Sequence, residues 1–318
     1  MERTIRISNF KNYFTLLVFF LLIIFLIFVS PGFLNLDNLI NVAILSFFVG
    51  VPAIGLASIM LTGLFDLSFV GIIGLISVIT IKMIEVGISV PVVLVIGLGI
   101  AIGFELVNAT LIIKFKIHPW LATIATMLAT LGLERAISKG YFLTTSHSLF
   151  KTIRYGKFLG IPFTGWIFVV TFIPIYFLIN KTTLGMHLYA IGGNEIAAKK
   201  AGIKCERLKF ASFIIMGICI YVSSLLYVSQ LSGYPPQAAY TNLNEVILSV
   251  FFGMSISRKN IITIHGAAIG AFVIALLANG LALSGISSYL IKLIEGCLII
   301  LLVIINSLGG EELVQLEK

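Results

Sequence analysis

The sequence predicts an all-α polytopic membrane protein with about ten transmembrane helices, some of them short or broken. Three observations carry that prediction. Hydrophobic residues make up 59% of the 318 residues and charged residues only 11%, where a soluble domain carries about 45–50% and about 25%. Too few charges remain to cover a water-facing surface, which excludes disorder and a soluble enzyme. Mean hydropathy is +1.13. The apolar residues also fall in runs near the roughly 20 residues that span a bilayer.

In chain order, the first run is 14–30. It follows Arg3, Arg6 and Lys11 and mimics a signal peptide, but it ends at Ser30-Pro31-Gly32 without a small-residue cleavage site. It reads as an uncleaved first span. Further runs cover 44–62, 67–86, 90–112, 119–138, 162–180, 210–230, 243–256, 261–280 and 287–306. The run at 243–256 is short for a full crossing, and 119–138 opens on Pro119, where a break is expected. Similar numbers of spans flank 162–180, which suggests a faint internal repeat of the kind transporters use. No linker or soluble domain interrupts the chain. Residues 1–318 read as a single transmembrane domain with a loop at 181–209.

Lys and Arg set the orientation. With the N-terminus inside, fourteen of the 21 lie in inside segments, six of them between Lys181 and Lys209. Four lie outside: Lys139, Lys151, Arg154 and Lys157. Lys82, Arg135 and Lys292 sit near helix ends, where long side chains snorkel. Both termini are expected to face the cytoplasm. The net charge of +8 is then positive-inside bias and not a nucleic-acid surface. Cys205, Cys219 and Cys297 are odd in number and form no CxxC, so no disulfide framework is expected. His118, His147, His187 and His265 are scattered, and no metal site is expected.

The inside loop holds the most informative segment, Tyr189–Ile203. Asn194 is a good N-cap, Glu195 sits in the first turn, and Lys199 and Lys200 sit in the last. Gly202 suits a left-handed residue just past the end, and Glu195 and Lys199 are an i,i+4 pair. These residues predict a short capped helix between two spans. Ala197, Ala198 and Ala201 give it small residues that let another protein approach closely. A solvated connector is the alternative.

The segment resembles the coupling segment of the sugar-type ABC importer permeases, the ribose, xylose and galactose branch that includes autoinducer-2 permeases. Their pattern Y-A-I-G-G-N-x-x-A-A-x-x-x-G-I is matched throughout. The resemblance implies that Gly192, Gly193, Asn194, Glu195, Ala197, Ala198 and Gly202 form the contact with an ATPase subunit. Thr62-Gly-Leu-Phe-Asp-Leu-Ser68 is similar to the family's Gly-Gly-Ile-Asp-Leu-Ser, with Phe65 and Phe69 departing. There Asp66 or Ser68 is expected to cap the next helix in preference to touching substrate. Asn108 and Lys114–Met127 resemble N-G…P-P-F-I-x-T-L-G-T-M. Thr123 and Thr126 could line a polar route or bond their own i−4 carbonyls. An unsatisfied Asn108 amide would be costly in an apolar span, and Glu105 lies one turn earlier and could pair with it. Tyr240–Ser255 aligns with a family segment whose two acids fall on Asn242 and Asn244, with Glu245 new. Downstream, Gly-Gly-x-Gly becomes Ser257-Arg258-Lys259-Asn260, which should stiffen that turn. Asn279-Gly280 and Leu293–Ile304 complete the matches, which run in the family's order from about 44 to 306.

Membership in this family implies a permease subunit for a monosaccharide such as ribose, in a bacterial cytoplasmic (inner) membrane. It implies ABC ATPase subunits, a periplasmic or lipid-anchored sugar-binding protein, and a second permease copy or paralogue. The permease does no bond chemistry and holds no cofactor, since ATP and Mg bind the partner ATPase. No G-x-x-x-x-G-K-[ST] loop occurs in this chain. Candidate path residues are Asn108, Thr123, Thr126, Asn242, Asn244, Glu245 and Asn279, because neutral amides and hydroxyls suit sugar hydroxyls. Interhelical bonding is the alternative for Asn244 and Asn279. A rival class is an ion-coupled secondary transporter of a small polar solute, which buried, paired acids would favour. A membrane-embedded enzyme would need a nucleophile–base pair or metal cluster, and neither is visible.

Overall fold

The computed structural model describes residues 2–257 and 260–307, with side chains described over 16–257 and 260–305. The helices, in order, are α1 (Glu2–Val29), α2 (Leu36–Met60), α3 (Phe69–Glu85), α4 (Val90–Ile113), α5 (Pro119–Ser138), α6 (Ser148–Tyr155) and α7 (Phe163–Lys181). They continue as α8 (Thr183–Gly193), α9 (Glu195–Lys200), α10 (Cys205–Leu231), α11 (Leu243–Ser255), α12 (Ile264–Leu283) and α13 (Ser288–Ser307). Four two-residue strands, β1 (Leu143–Thr144), β2 (Lys157–Phe158), β3 (Ile161–Pro162) and β4 (Gly233–Tyr234), form the pairs β1–β4 and β2–β3. A 3-10 turn covers Ala239–Asn242.

Each of the ten apolar runs is a helix. Seven of them (α2, α4, α5, α7, α10, α12 and α13) are long and apolar enough to cross a membrane. The chain is an all-α polytopic membrane protein. The run at 119–138 is one unbroken helix, with Pro119 at its first position, where proline lacks only an N–H that has no helical partner. The short run is short in space too: α11 has 13 residues.

Contacts divide the chain, which the sequence reading treats as one domain, into two compact units. One is Met1–Ala53 with Asn244–Lys318, and the other is Ile54–Leu243. In the first, Phe19, Leu26, Phe252, Ile274, Leu277 and Leu302 lie in a common apolar core. The rings of Phe19 and Phe252 are 4.4 Å apart. Ser30 Oγ donates to Gly280 O at 2.8 Å, which ties α12 to the end of α1. Arg258 and Lys259, in the altered turn of this unit, lie outside the described residues. Asn260 takes the left-handed backbone (φ 51°), which asparagine tolerates better than most residues.

In the second unit, α3 is the central element. Twelve of its residues are buried, and it packs against α4, α5 and α10. Its glycines permit the approach: a Cβ on Gly71 would lie 2.2 Å from Thr130 Oγ1 and 2.8 Å from Met127 O. Glu134 on α5 accepts the Gln237 N–H at 2.9 Å, while its neighbour Arg135 donates to Gln237 Oε1 at 2.9 Å. The two therefore fix the segment after β4 instead of pairing with each other.

Candidate functional site

The segment between α7 and α10 folds as two consecutive short helices. Thr182 Oγ1 accepts the Leu184 N–H at 3.3 Å and starts α8. Asn194 ends α8 and starts α9, its Oδ1 accepting the Ala197 N–H at 2.9 Å. At the far end Gly202 has φ 80°. Its N–H donates to Lys199 O at 3.0 Å, and that of Ile203 donates to Ala198 O at 3.1 Å. The N-cap, first-turn acid, last-turn bases and left-handed glycine expected from sequence are all present.

One carboxylate, Glu195, pairs with a lysine of its own helix and with one of α10, and the second pair holds α9 in place. Lys199 Nζ lies 2.9 Å from Glu195 Oε1, and Lys209 Nζ on α10 lies 2.6 Å from Glu195 Oε2. The Lys209 side chain is only 11% exposed. Hydrogen bonds from Lys199 and Lys209 hold the Glu195 carboxyl down at about 2. The same bond raises the Lys199 ammonium above its ordinary value. Beneath the clamp is a cleft of about 400 Å³, with Leu64, Lys116, His118, Glu195, Lys199 and Lys209 in its lining.

Of the seven residues expected at the contact, Gly192, Gly193, Asn194, Ala197 and Gly202 are exposed and Glu195 is half-buried. Ala198 is 4% exposed and packs with Ile191, Ile203, Cys205 and Leu208 of its own chain. It seats the helix instead of facing outward, so the small outward face is Ala197 and Ala201. Gly192 has an internal reason as well: a Cβ there would lie 2.1 Å from Leu61 O, so the end of α8 rests on backbone just after α2. Ile196, which the sequence reading passed over, is 69% exposed. A large apolar side chain on the outer side of a polar loop was the available signal.

A second constellation is closed. Asp66 Oδ1 accepts the Ser68 N–H at 2.8 Å and the Ser68 hydroxyl at 2.7 Å. Asp66 thus makes the turn that leads into α3. Ser68 occupies the N-cap position of α3 without a side-chain cap bond, which corrects the expectation for that residue. Its hydroxyl is turned to Asp66 and accepts from Asn108 Nδ2 at 2.8 Å.

Residues 38–303 match the family described as branched-chain amino acid transport system / permease component. The ribose import permease protein RbsC of Bacillus subtilis (strain 168) is 32% identical over 293 residues, covering 90% of each chain. Its counterpart in Haemophilus influenzae is 30% identical over the same length and coverage. The chain belongs to this family, in its sugar ABC importer permease branch. The L-arabinose transport system permease protein AraH of Escherichia coli (strain K12) is 29% identical over 296 residues, 93% of this chain and 90% of the relative.

In this permease the candidate path residues fall in both units. Asn108 is fully buried, and besides its bond to Ser68 it accepts from Thr126 Oγ1 at 2.6 Å. Thr126 also reaches its own i−4 carbonyl, Ala122 O, at 3.1 Å. Thr123 donates to Pro119 O at 2.9 Å. These three make their hydrogen bonds within helix packing. Asn242 Oδ1 accepts from its neighbour Thr241 at 2.9 Å. In the other unit, Asn279 Oδ1 accepts from Asn38 Nδ2 at 2.9 Å, the interhelical bond weighed as the alternative. Asn244 is half-buried. Glu245 Oε1 lies 3.1 Å from Lys292 Nζ, which also lies 3.0 Å from Glu295 Oε2. Phe65, a departure from the family pattern, stacks on Trp120 with centroids 5.2 Å apart.

Proposed function

We propose that this chain is the membrane-spanning permease subunit of an ATP-driven, binding-protein-dependent importer of a monosaccharide, with ribose the leading candidate. The observation that carries the reading is α9, a six-residue helix capped at both ends and clamped to α10 through Glu195. Order of that kind in a long loop goes with a function, here a partner that presses on it. Ribose is favoured because relatives at 30–32% identity over 90% of the chain bear that name. In this reading the α9 surface around Ile196, Ala197 and Gly202 docks on an ATPase subunit. ATP binding there draws two ATPases together, moves α8 and α9, and re-orients a route between two permease copies or paralogues. A binding protein presents the sugar on the other side of the inner membrane.

The inside placement of Tyr189–Ile203 and of both termini rests on the Lys and Arg distribution. A cysteine at Lys200 (Lys200→Cys) should resist an impermeant thiol reagent added to intact cells, and labelling from outside would reverse the topology. For function, the chain is tagged at its C-terminus and purified from native membranes in mild detergent. An ATPase and a sugar-binding protein should co-purify, and the ligand held by that binding protein identifies the substrate. Absence of an ATPase, where a control ABC complex survives, would refute the reading.

An ion-coupled carrier is the second reading, because Asp66 and Glu105 are fully buried acids that lie in hydrogen-bond contact. The family match weighs against it, and the capped helix has no task in it.

A further inference from the structure

Asp66 and Glu105 are buried without a counter-ion. Neither takes part in any ion pair among the described residues. The charged group that acts on Glu105 is Asp66 itself. On the packed elements, Glu134 of α5 is engaged with the Gln237 N–H. On α10, Glu206 and Lys209 are paired with Lys114 and Glu195. One oxygen of each acid, Asp66 Oδ2 and Glu105 Oε2, is fully enclosed and has no donor.

The hydrogens around the pair can be counted. Ser68 has a single hydroxyl hydrogen, and it goes to Asp66 Oδ1 at 2.7 Å. Asp66 Oδ1 also takes the Ser68 N–H. Asn108 donates to Ser68 Oγ, and its own oxygen is taken by Thr126. Glu105 Oε1 lies 3.4 Å from Ser68 Oγ, whose hydrogen is already spent. Asp66 therefore has two donors within 2.8 Å, while Glu105 has only the Asn108 amide beside it. Two ionised carboxylates in contact, away from water and without a cation, cannot both persist. One hydrogen shared between the two carboxyls removes one of the two charges.

We propose that Asp66 and Glu105 together bind one proton, carried on Glu105 and donated to Asp66, and that this proton fastens α4 to the turn that opens α3. Asp66 is the ionised member and Glu105 the neutral one. The proton is a resident ligand of the fold and does not travel with substrate.

The test is infrared spectroscopy on the purified full-length chain in lipid nanodiscs. Wild type should show the carbonyl stretch of a buried, protonated carboxylic acid, shifted in D2O. That band should vanish in Glu105→Gln, whose amide N–H replaces the acid O–H, and survive in Glu134→Gln. Thermal melting adds a sign. The folded pair keeps a proton that the unfolded chain releases at neutral pH, so wild type should lose stability as pH rises. Glu105→Gln should fold, with an unchanged or higher melting temperature at neutral pH and a weaker alkaline decline. Absence of the acid band in wild type would overturn the proposal, as would its survival in Glu105→Gln or the failure of that neutral isostere to fold. A wild-type melting temperature that rises with sodium against a choline control would assign the pair to a metal cation instead.

Discussion

Gly192→Ala tests the seating of the coupling pair most sharply. The added Cβ would lie 2.1 Å from Leu61 O and 3.1 Å from Leu61 C. Both are backbone atoms, so no side chain can rotate away, and the end of α8 must lift from the residues after α2. Overpacking of this sort costs about 1–3 kcal/mol. That energy falls on the element that would carry motion from the ATPase, and a coupling loss of about 1–3 kcal/mol is about a 5–150-fold change. Gly193 is the control, because a Cβ there meets nothing within 4 Å. The assay is ATP-dependent sugar uptake by membrane vesicles, read beside the amount of ATPase retained on the purified permease. Gly192→Ala should lower uptake at least about fivefold, with Gly193→Ala close to wild type. Equal uptake in the two variants would refute the claim that contact at Leu61 positions α8 and α9.

Three further outcomes are expected. Ile196→Ser should leave thermal stability within about 0.5 kcal/mol, as an exposed substitution does, yet weaken ATPase retention in a pull-down. Ala198→Leu should act the other way round from a contact mutation: it overfills the cluster of Ile191, Ile203, Cys205 and Leu208. It should speed tryptic cleavage after Lys199 and Lys200 even with no ATPase present. Glu195, lowered from 4.5 to about 2, stabilises its clamp fully above about pH 4.5 and loses that contribution as pH falls through about 2. The 13C carboxyl resonance of Glu195 should therefore titrate near 2 in wild type and move upward in Lys209→Met.

Hydropathy located every span because lipid-facing and packed helices are both apolar along their length. It missed polar starts: α2 begins at Leu36 and α10 at Cys205, each ahead of its apolar run, since a helix can begin in water before it enters lipid. The caps of α9 were legible because Asn194 and Gly202 act on backbone a few residues away. Its buried face was not, because six residues make too little of a turn pattern to separate Ala197 from Ala198. Adjacent α8 went unread because Gly192 and Gly193 look like a loop, yet the first of them is there to let two backbones meet. Partners distant in sequence were beyond reach as well. Asn279 meets Asn38, Glu245 meets Lys292, and Glu105, besides Asn108 one turn away, meets Asp66 from another element. No periodicity encodes such pairs. They follow from which helices pack together.

The central claim is that this chain moves a sugar by coupling to ATP hydrolysis in a separate subunit. Proteoliposomes holding the permease, its co-purified ATPase and its binding protein test it directly, with ATP supplied on the ATPase side and labelled sugar on the other. The account predicts accumulation that requires ATP and the binding protein, persists without any ion gradient, and collapses in Gly192→Ala. Accumulation driven by a proton or sodium gradient with ATP absent would contradict it.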